Sequence, residues 1–175
     1  ITTQCQVYKP PKITNKKVQK AIEATSNLIL TFRNQPINAF YHGSNGGVSA
    51  TAGESWQIQD YPYFNSIIDG SKSLNKNFKL PISSETDVNN FLDFDKKQFY
   101  GSNHSLFRWN KKISSFEIKE KLIKNKLINI NDDVFDLNSI ERGFSGRVTK
   151  LAIQMYNVNK SIVLVKDDIR RVLNF

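Results

Sequence analysis

Three runs near the end of the chain, Val134–Arg142, Arg147–Tyr156 and Ser161–Val165, mix β-branched, apolar and polar residues in the alternating manner of strands. Only Gly143 to Gly146 and the Asn157-Val158-Asn159 turn with Lys160 separate them. Connections that short close hairpins and leave no room for a crossover helix. This end of the molecule must therefore carry sheet, with a last helix opening at Asp167 or Asp168.

Helical signals lie upstream. Ser114-x-x-Glu117 has capping-box form and precedes Ile118, Leu122 and Ile123 at helical spacing. Ser84 with Asp87 begins a short helix carrying Val88, Phe91 and Leu92. Thr14 is placed to cap a helix over about residues 15–27, with Val18, Ala21, Ile22 and Thr25 on one side. Leu28–Arg33 and Ile37–His42 read as two strands joined by Asn34-Gln35-Pro36, with Pro36 confined to the turn. Leu106-Phe107-Arg108-Trp109 reads as a further strand. The fold class is α+β: hairpins and short helices around one core. The 175 residues make one domain, with the polar stretch Asp69–Ser84 as the candidate edge of a small inserted lobe at 70–110.

Charge narrows the partners. Twenty-five Lys and Arg face sixteen Asp and Glu, a net charge of +9. Such a field attracts polyanions, whether nucleic acid, anionic lipid or acidic wall polymer. The lysines are scattered at Lys16-Lys17, Lys96-Lys97, Lys111-Lys112 and 119–126, with no nucleic-acid motif beside them. A background preference for Lys and Asn explains the composition equally well. No run approaches the ~20 apolar residues of a membrane span. Ile1 to Gln6 show no export signal, and both ends read like cuts. The lone cysteine, Cys5, permits no internal disulfide and reads as a small buried residue. A zinc site would have to recruit His42 or His104. Neither a metal nor a cofactor is expected.

The densest cluster of reactive and polar groups is Tyr41-His42-Gly43-Ser44-Asn45-Gly46-Gly47, followed by Trp56 and Tyr61-Pro62-Tyr63-Phe64. Adjacent glycines permit positive φ and close approach of a ligand to backbone. Sugars ask for this mixture: rings for C–H faces, and amide, hydroxyl and N–H groups for hydroxyl and acetamido groups. On composition alone an ordinary glycine turn with core aromatics explains the same residues more simply. A Ser44–His42 hydrolase pair lacks a nucleophile elbow. Glu54 and Asp60 are the carboxylates a glycosidase reading would use, and their spacing in a loop says nothing of their separation. Arg142-Gly143-Phe144-Ser145-Gly146-Arg147 sets two arginines around a turn, either solvated or clamping a carboxylate or phosphate.

The ordered blocks Gln4-Cys5-Gln6-Val7-Tyr8, Ala21-x-x-Ala24-Thr25, Pro36-Ile37-x-Ala39-x-Tyr41-His42-x-Ser44-Asn45-Gly46-Gly47, Trp56 and Pro62-Tyr63-Phe64 with Asp69 resemble the SpoIID/LytB family, the sporulation stage II protein D and amidase-enhancer group. Arg108-Trp109, Arg142-Gly143-x-Ser145-Gly146-Arg147-Val148 and Ile169-Arg170 continue the resemblance almost to the end. It implies an extracytoplasmic peptidoglycan protein. Active members are lytic transglycosylases, which cut between N-acetylmuramic acid and N-acetylglucosamine with one protonated carboxylic acid. The family's proposed catalytic Glu precedes the Gln-Val-Tyr block, and this chain starts immediately before that block, so no catalytic residue is assigned. The resemblance implies the substrate-facing remainder of a longer protein, with His42, Ser44, Asn45, Gly46, Gly47, Trp56 and Tyr63 as substrate-binding candidates. Peptidoglycan is the implied partner. A cell-wall amidase joins it if the chain is a non-catalytic enhancer. A basic nucleic-acid binder is the distant third reading, and no nucleic-acid partner is expected.

Overall fold

The computed structural model describes residues 15–156 and 161–174. It is α+β, with short helices and small antiparallel sheets. The chain divides into two compact units, Ile1–Tyr41 and His42–Phe175.

In the first unit α1 spans Lys16–Ala24. Thr14 lies outside the described residues, and the cap is Asn15, whose Oδ1 accepts from the Lys17 N–H at 2.9 Å. The helix stops short of residue 27: the Thr25 hydroxyl donates to the Ala21 carbonyl at 2.8 Å, and Asn27 takes φ +62°. None of its residues is buried. A hairpin is present, but it is shorter and earlier than expected, and residues 37–42 form no strand. Strands β1 (Thr31–Phe32) and β2 (Gln35–Pro36) pair Thr31 with Pro36 and Phe32 with Gln35. The turn is Arg33-Asn34, at φ +51° and +61°. Two successive positive φ values match the twist of a two-residue hairpin, and Asn tolerates that region well. Pro36 therefore sits in a strand, where a two-stranded ribbon lets a residue without N–H stand on a free edge.

The second unit opens with a loop and the one-turn helix α2 (Ala52–Ser55), capped by Thr51. Helix α3 (Leu74–Asn77) and α4 (Glu85–Asp93) follow, then a 3-10 turn at Lys96–Gln98. Ser84 caps α4 as expected, and Val88 and Phe91 face inward while Leu92 stays exposed. The polar stretch before it also supplies core, since Leu74 and Ile82 are fully buried. These residues join Val48, Val88, Phe91, Phe99 and Phe107 in one apolar cluster. Its rings meet edge to face, Phe78 with Phe94 at 4.9 Å and Phe91 with Phe99 at 5.2 Å between centroids, the arrangement that the ring quadrupole favours.

Residues 106–109 are not a strand. Their backbone is spent on turns: His104 N–H to the Gly101 carbonyl and Phe107 N–H to the His104 carbonyl, both 2.9 Å. Arg108 then drops its guanidinium over the rings of Phe91, Phe99 and Phe107, 4.8 to 5.4 Å from their centroids. Its Nη1 donates to the carbonyls of Leu92 and Phe94 at 2.8 and 3.0 Å. The apolar run is an anchor against α4.

The remainder follows the sequence closely. Helix α5 (Ser115–Lys124) begins in a full capping box, Ser114 with Glu117. Strands β3 (Val134–Arg142), β4 (Val148–Met155) and β5 (Ser161–Val165) form an antiparallel sheet in that order, and α6 (Asp167–Leu173) closes the chain. Ile153 pairs with Leu137 on one side and Ile162 on the other. Helices α5 and α6 cover the sheet, burying Ile118, Leu122, Val134, Ile153, Leu164, Ile169, Val172 and Leu173 together. The Asn157-Val158-Asn159 turn and Cys5 lie outside the described residues.

Candidate functional site

The glycine loop is built by its own asparagine. Asn45 Oδ1 accepts the Gly47 N–H at 2.9 Å, and its Nδ2 donates to Asp69 Oδ2 at 2.7 Å. The Asp69 N–H returns a bond to the Gly47 carbonyl at 2.9 Å. Gly46 and Gly47 take φ +69° and +106°, a region side chains resist. A Cβ on Gly46 would stand 2.9 Å from the Phe107 carbonyl oxygen, and one on Gly47 would stand 2.8 Å from Phe99. Both glycines are therefore required by space as well as by φ. The Asn45 amide is committed to the loop, and Gly47 is sealed against the aromatic core.

The Arg142–Arg147 turn has the same self-contained character. Gly143 N–H donates to the Arg147 carbonyl at 2.8 Å, and Gly146, at φ +85°, donates back to the Gly143 carbonyl at 3.1 Å. Arg142 grips Glu85 through Nε and Nη2 at 2.7 and 2.9 Å, and its Nη1 reaches the Gly146 carbonyl at 2.8 Å. That grip, with the Ser139 hydroxyl, holds the Glu85 carboxyl below the usual carboxylate range. The Ser145 N–H donates to Glu54 Oε1 at 3.1 Å, and Gly143 leaves room for the Glu54 carboxylate where a Cβ would sit 2.6 Å away.

Arg147 joins the two turns. Its Nη2 donates to the Asn45 carbonyl at 3.0 Å, and Nη1 to the Val48 carbonyl at 3.1 Å and the Ser145 hydroxyl at 2.9 Å. Burial pulls its guanidinium below its usual range, and the charge of Glu54 pulls the other way. It remains a cation, as arginines in proteins do. The two turns so joined form one side of a groove of about 280 Å³. Asn45, Gly46, Ser145 and Gly146 supply backbone and hydroxyl groups there, Arg142 and Arg147 supply cationic groups, and Phe91, Phe107 and Trp109 supply rings. Trp109 is 56% exposed.

Of the residues singled out in the sequence, Asn45 and Gly46 line this groove, while His42, Ser44, Gly47, Trp56 and Tyr63 do not. His42 is exposed and Ser44 half-buried, leading into the loop. Trp56 closes α2, its N–H on the Ala52 carbonyl at 2.9 Å, and is 37% exposed. Tyr63 is half-buried, stacked on Tyr61 at 5.3 Å and tilted against Phe64 at 5.0 Å. The two acids weighed as glycosidase carboxylates are both held by backbone: Glu54 by Ser145, and Asp60 by the Gly53 N–H at 2.6 Å. Asp69 and the Arg108-Trp109 pair carry weight that composition did not reveal. Asp69 locks the loop and Trp109 lines the groove.

Among the described residues no three His, Cys, Asp or Glu side chains gather to hold a metal. No helix among them is long and apolar enough to cross a membrane. No curated protein and no solved structure matches the chain. A family match covers residues 50–175, taking in Glu54, the aromatic cluster, the Arg142–Arg147 turn and the whole three-stranded sheet. On that match, the chain belongs to the family described as a domain of unknown function, DUF8618.

Proposed function

We propose that this chain binds the glycan strands of peptidoglycan, MurNAc alternating with GlcNAc, in the groove lined by Asn45 and Gly46, the Arg142–Arg147 turn and Trp109. On this reading it is the wall-binding portion of a SpoIID/LytB-like lytic transglycosylase protein acting outside the cytoplasm. The supporting observation is Arg147, which ties together two sequence blocks 102 positions apart, Asn45 and its own turn, beside an exposed indole. An exposed ring face for sugar C–H groups, in a groove also lined by the Ser145 hydroxyl and by two arginines, suits this polymer.

Bond cleavage needs a protonated acid facing the glycosidic oxygen. Neither Glu54 nor Asp60 lines the groove: each carboxylate is turned to a backbone N–H, Glu54 to Ser145 and Asp60 to Gly53. The same observation favours the second reading, a wall-binding enhancer of an N-acetylmuramoyl-L-alanine amidase.

Co-sedimentation with purified sacculi tests the proposal. The chain is expected in the pellet, and Trp109→Ala is expected to weaken binding about tenfold through loss of one ring–sugar contact. Equal retention of the two proteins, or a wild-type chain left in the supernatant, would sink it. Incubation with sacculi alone and with an added amidase separates the two readings. Anhydro-muropeptides from the chain alone mark a lyase, and faster amidase release without them marks an enhancer.

A further inference from the structure

Beside the groove, on the other side of Phe107 and Arg108, lies a second concavity of about 370 Å³ that the glycan reading does not use. The 3-10 turn at Lys96–Gln98 forms one wall and the 102–105 turn the other. Backbone bonds fix both walls. Phe99 N–H reaches the Lys96 carbonyl at 3.0 Å, Tyr100 N–H reaches the Asp69 carbonyl at 3.0 Å, and His104 N–H reaches the Gly101 carbonyl at 2.9 Å. Gly101, at φ +68°, turns the chain between them.

The lining is one-sided in its chemistry. It holds two ammonium groups from Lys96 and Lys97, the hydroxyls of Ser102 and Ser105, the Asn103 amide and the His104 ring, with no carboxylate. The nearest acid in sequence, Asp95, is turned to the helix cap, accepting the Lys97 N–H at 3.0 Å. Among the described residues neither lysine stands in an ion pair. His104 Nδ1 accepts the Leu106 N–H at 3.1 Å, so the ring proton of the neutral form belongs on Nε2, making that atom a donor. Arg108 contributes charge alone: its Nη1 is taken by two carbonyls, and its buried Nε and Nη2 face aromatic rings. Cations and hydrogen-bond donors line one concavity with no carboxylate among them, and an oxyanion is the ligand to which all of them can donate.

We propose that the Lys96–His104 pocket is an oxyanion-binding site, taking a phosphate or carboxylate group through the two lysines, the serine hydroxyls and His104 Nε2–H. The wall offers that chemistry from two sources, a phosphodiester of an anionic polymer or a carboxylate of a peptide stem. The claim is independent of the glycan groove, because small anions test it without sacculi.

The full chain is titrated with inorganic phosphate and separately with acetate, followed by amide and imidazole NMR signals at physiological ionic strength. Saturable shifts confined to residues 96–105 are expected. The double variant Lys96→Gln, Lys97→Gln is expected to bind about tenfold more weakly, because charge-assisted hydrogen bonds are the stronger kind. His104→Gln, whose amide can still donate, is expected to lose less. Tighter phosphate binding points to the phosphodiester, and tighter acetate binding points to the stem carboxylate. Linear shifts for both anions, or saturation unchanged in the double variant, would overturn the proposal. Neither outcome touches the sacculus experiment.

Discussion

Gly47 is a residue the sequence made conspicuous for one reason and the structure uses for another. Its glycine character suggested backbone open to ligand, whereas its φ of +106° and the Phe99 ring beneath it make it a packing position. Gly47→Ala is expected to destabilise the chain by about 2–4 kcal/mol, read as a lowered urea midpoint at unchanged slope. A midpoint within error of wild type would show that the loop has room to shift. Arg147→Lys is expected to cost about 2 kcal/mol or more, because one ammonium cannot span three acceptors that a planar fork reaches together. That Asn45, Gly46 and Gly47 form a structured tip was legible, since Asn-Gly-Gly has few other uses. Which atoms face outward was not, because the deciding partners, Asp69, Phe99, Phe107 and Arg147, lie far along the chain.

Helix α5 was the most legible element, and its capping box carries a pH signature. Glu117 is held below its ordinary 4.5, first by the Ser114 N–H and then by the Ser114 hydroxyl. A carboxyl with a depressed folded value adds stability that is complete above the unfolded value and disappears as pH falls through the folded one. Thermal midpoints measured between about pH 6 and pH 3 should therefore fall toward the acid end, and Glu117→Gln should remove part of that slope. The slope is the test; an identical one in the variant would mean the box contributes nothing. Within the same element Leu122, fully buried between sheet and α6, is expected to cost about 2–5 kcal/mol as Leu122→Ala. Strands β3 and β5 were readable because their turns announce them. Residues 106–109 misled because an apolar, aromatic run looks the same whether it pairs with a strand or folds over a ring cluster. Only the seat of Arg108 on three rings decides it, and no local pattern encodes that. The hairpin turns earlier than expected because Arg33, rather than a more obvious turn residue, accepts positive φ.

Across the whole chain, the fold class followed from the order of elements, while the meeting of the two turns had no signature in a single sequence. Contacts between residues a hundred positions apart leave no periodicity to read. The net charge of +9 was legible and gives a prediction at this scale. If the basic field contributes to wall attachment, raising salt from about 0.05 to 0.5 M should reduce sedimentation with sacculi while leaving a Trp109-dependent remainder. Retention indifferent to salt would show that the lysines are passengers.

The link from Arg147 to Asn45 also has a temporal side. During synthesis the Asn45 loop leaves the ribosome about a hundred residues before the guanidinium that holds its carbonyl. Until the second strand of the three-stranded sheet has emerged and closed, the groove lacks its Arg147 link. On the proposed reading, a nascent or proteolytically shortened chain missing that strand would lack the Arg142–Arg147 side of the groove, and is expected to stay in the supernatant with sacculi.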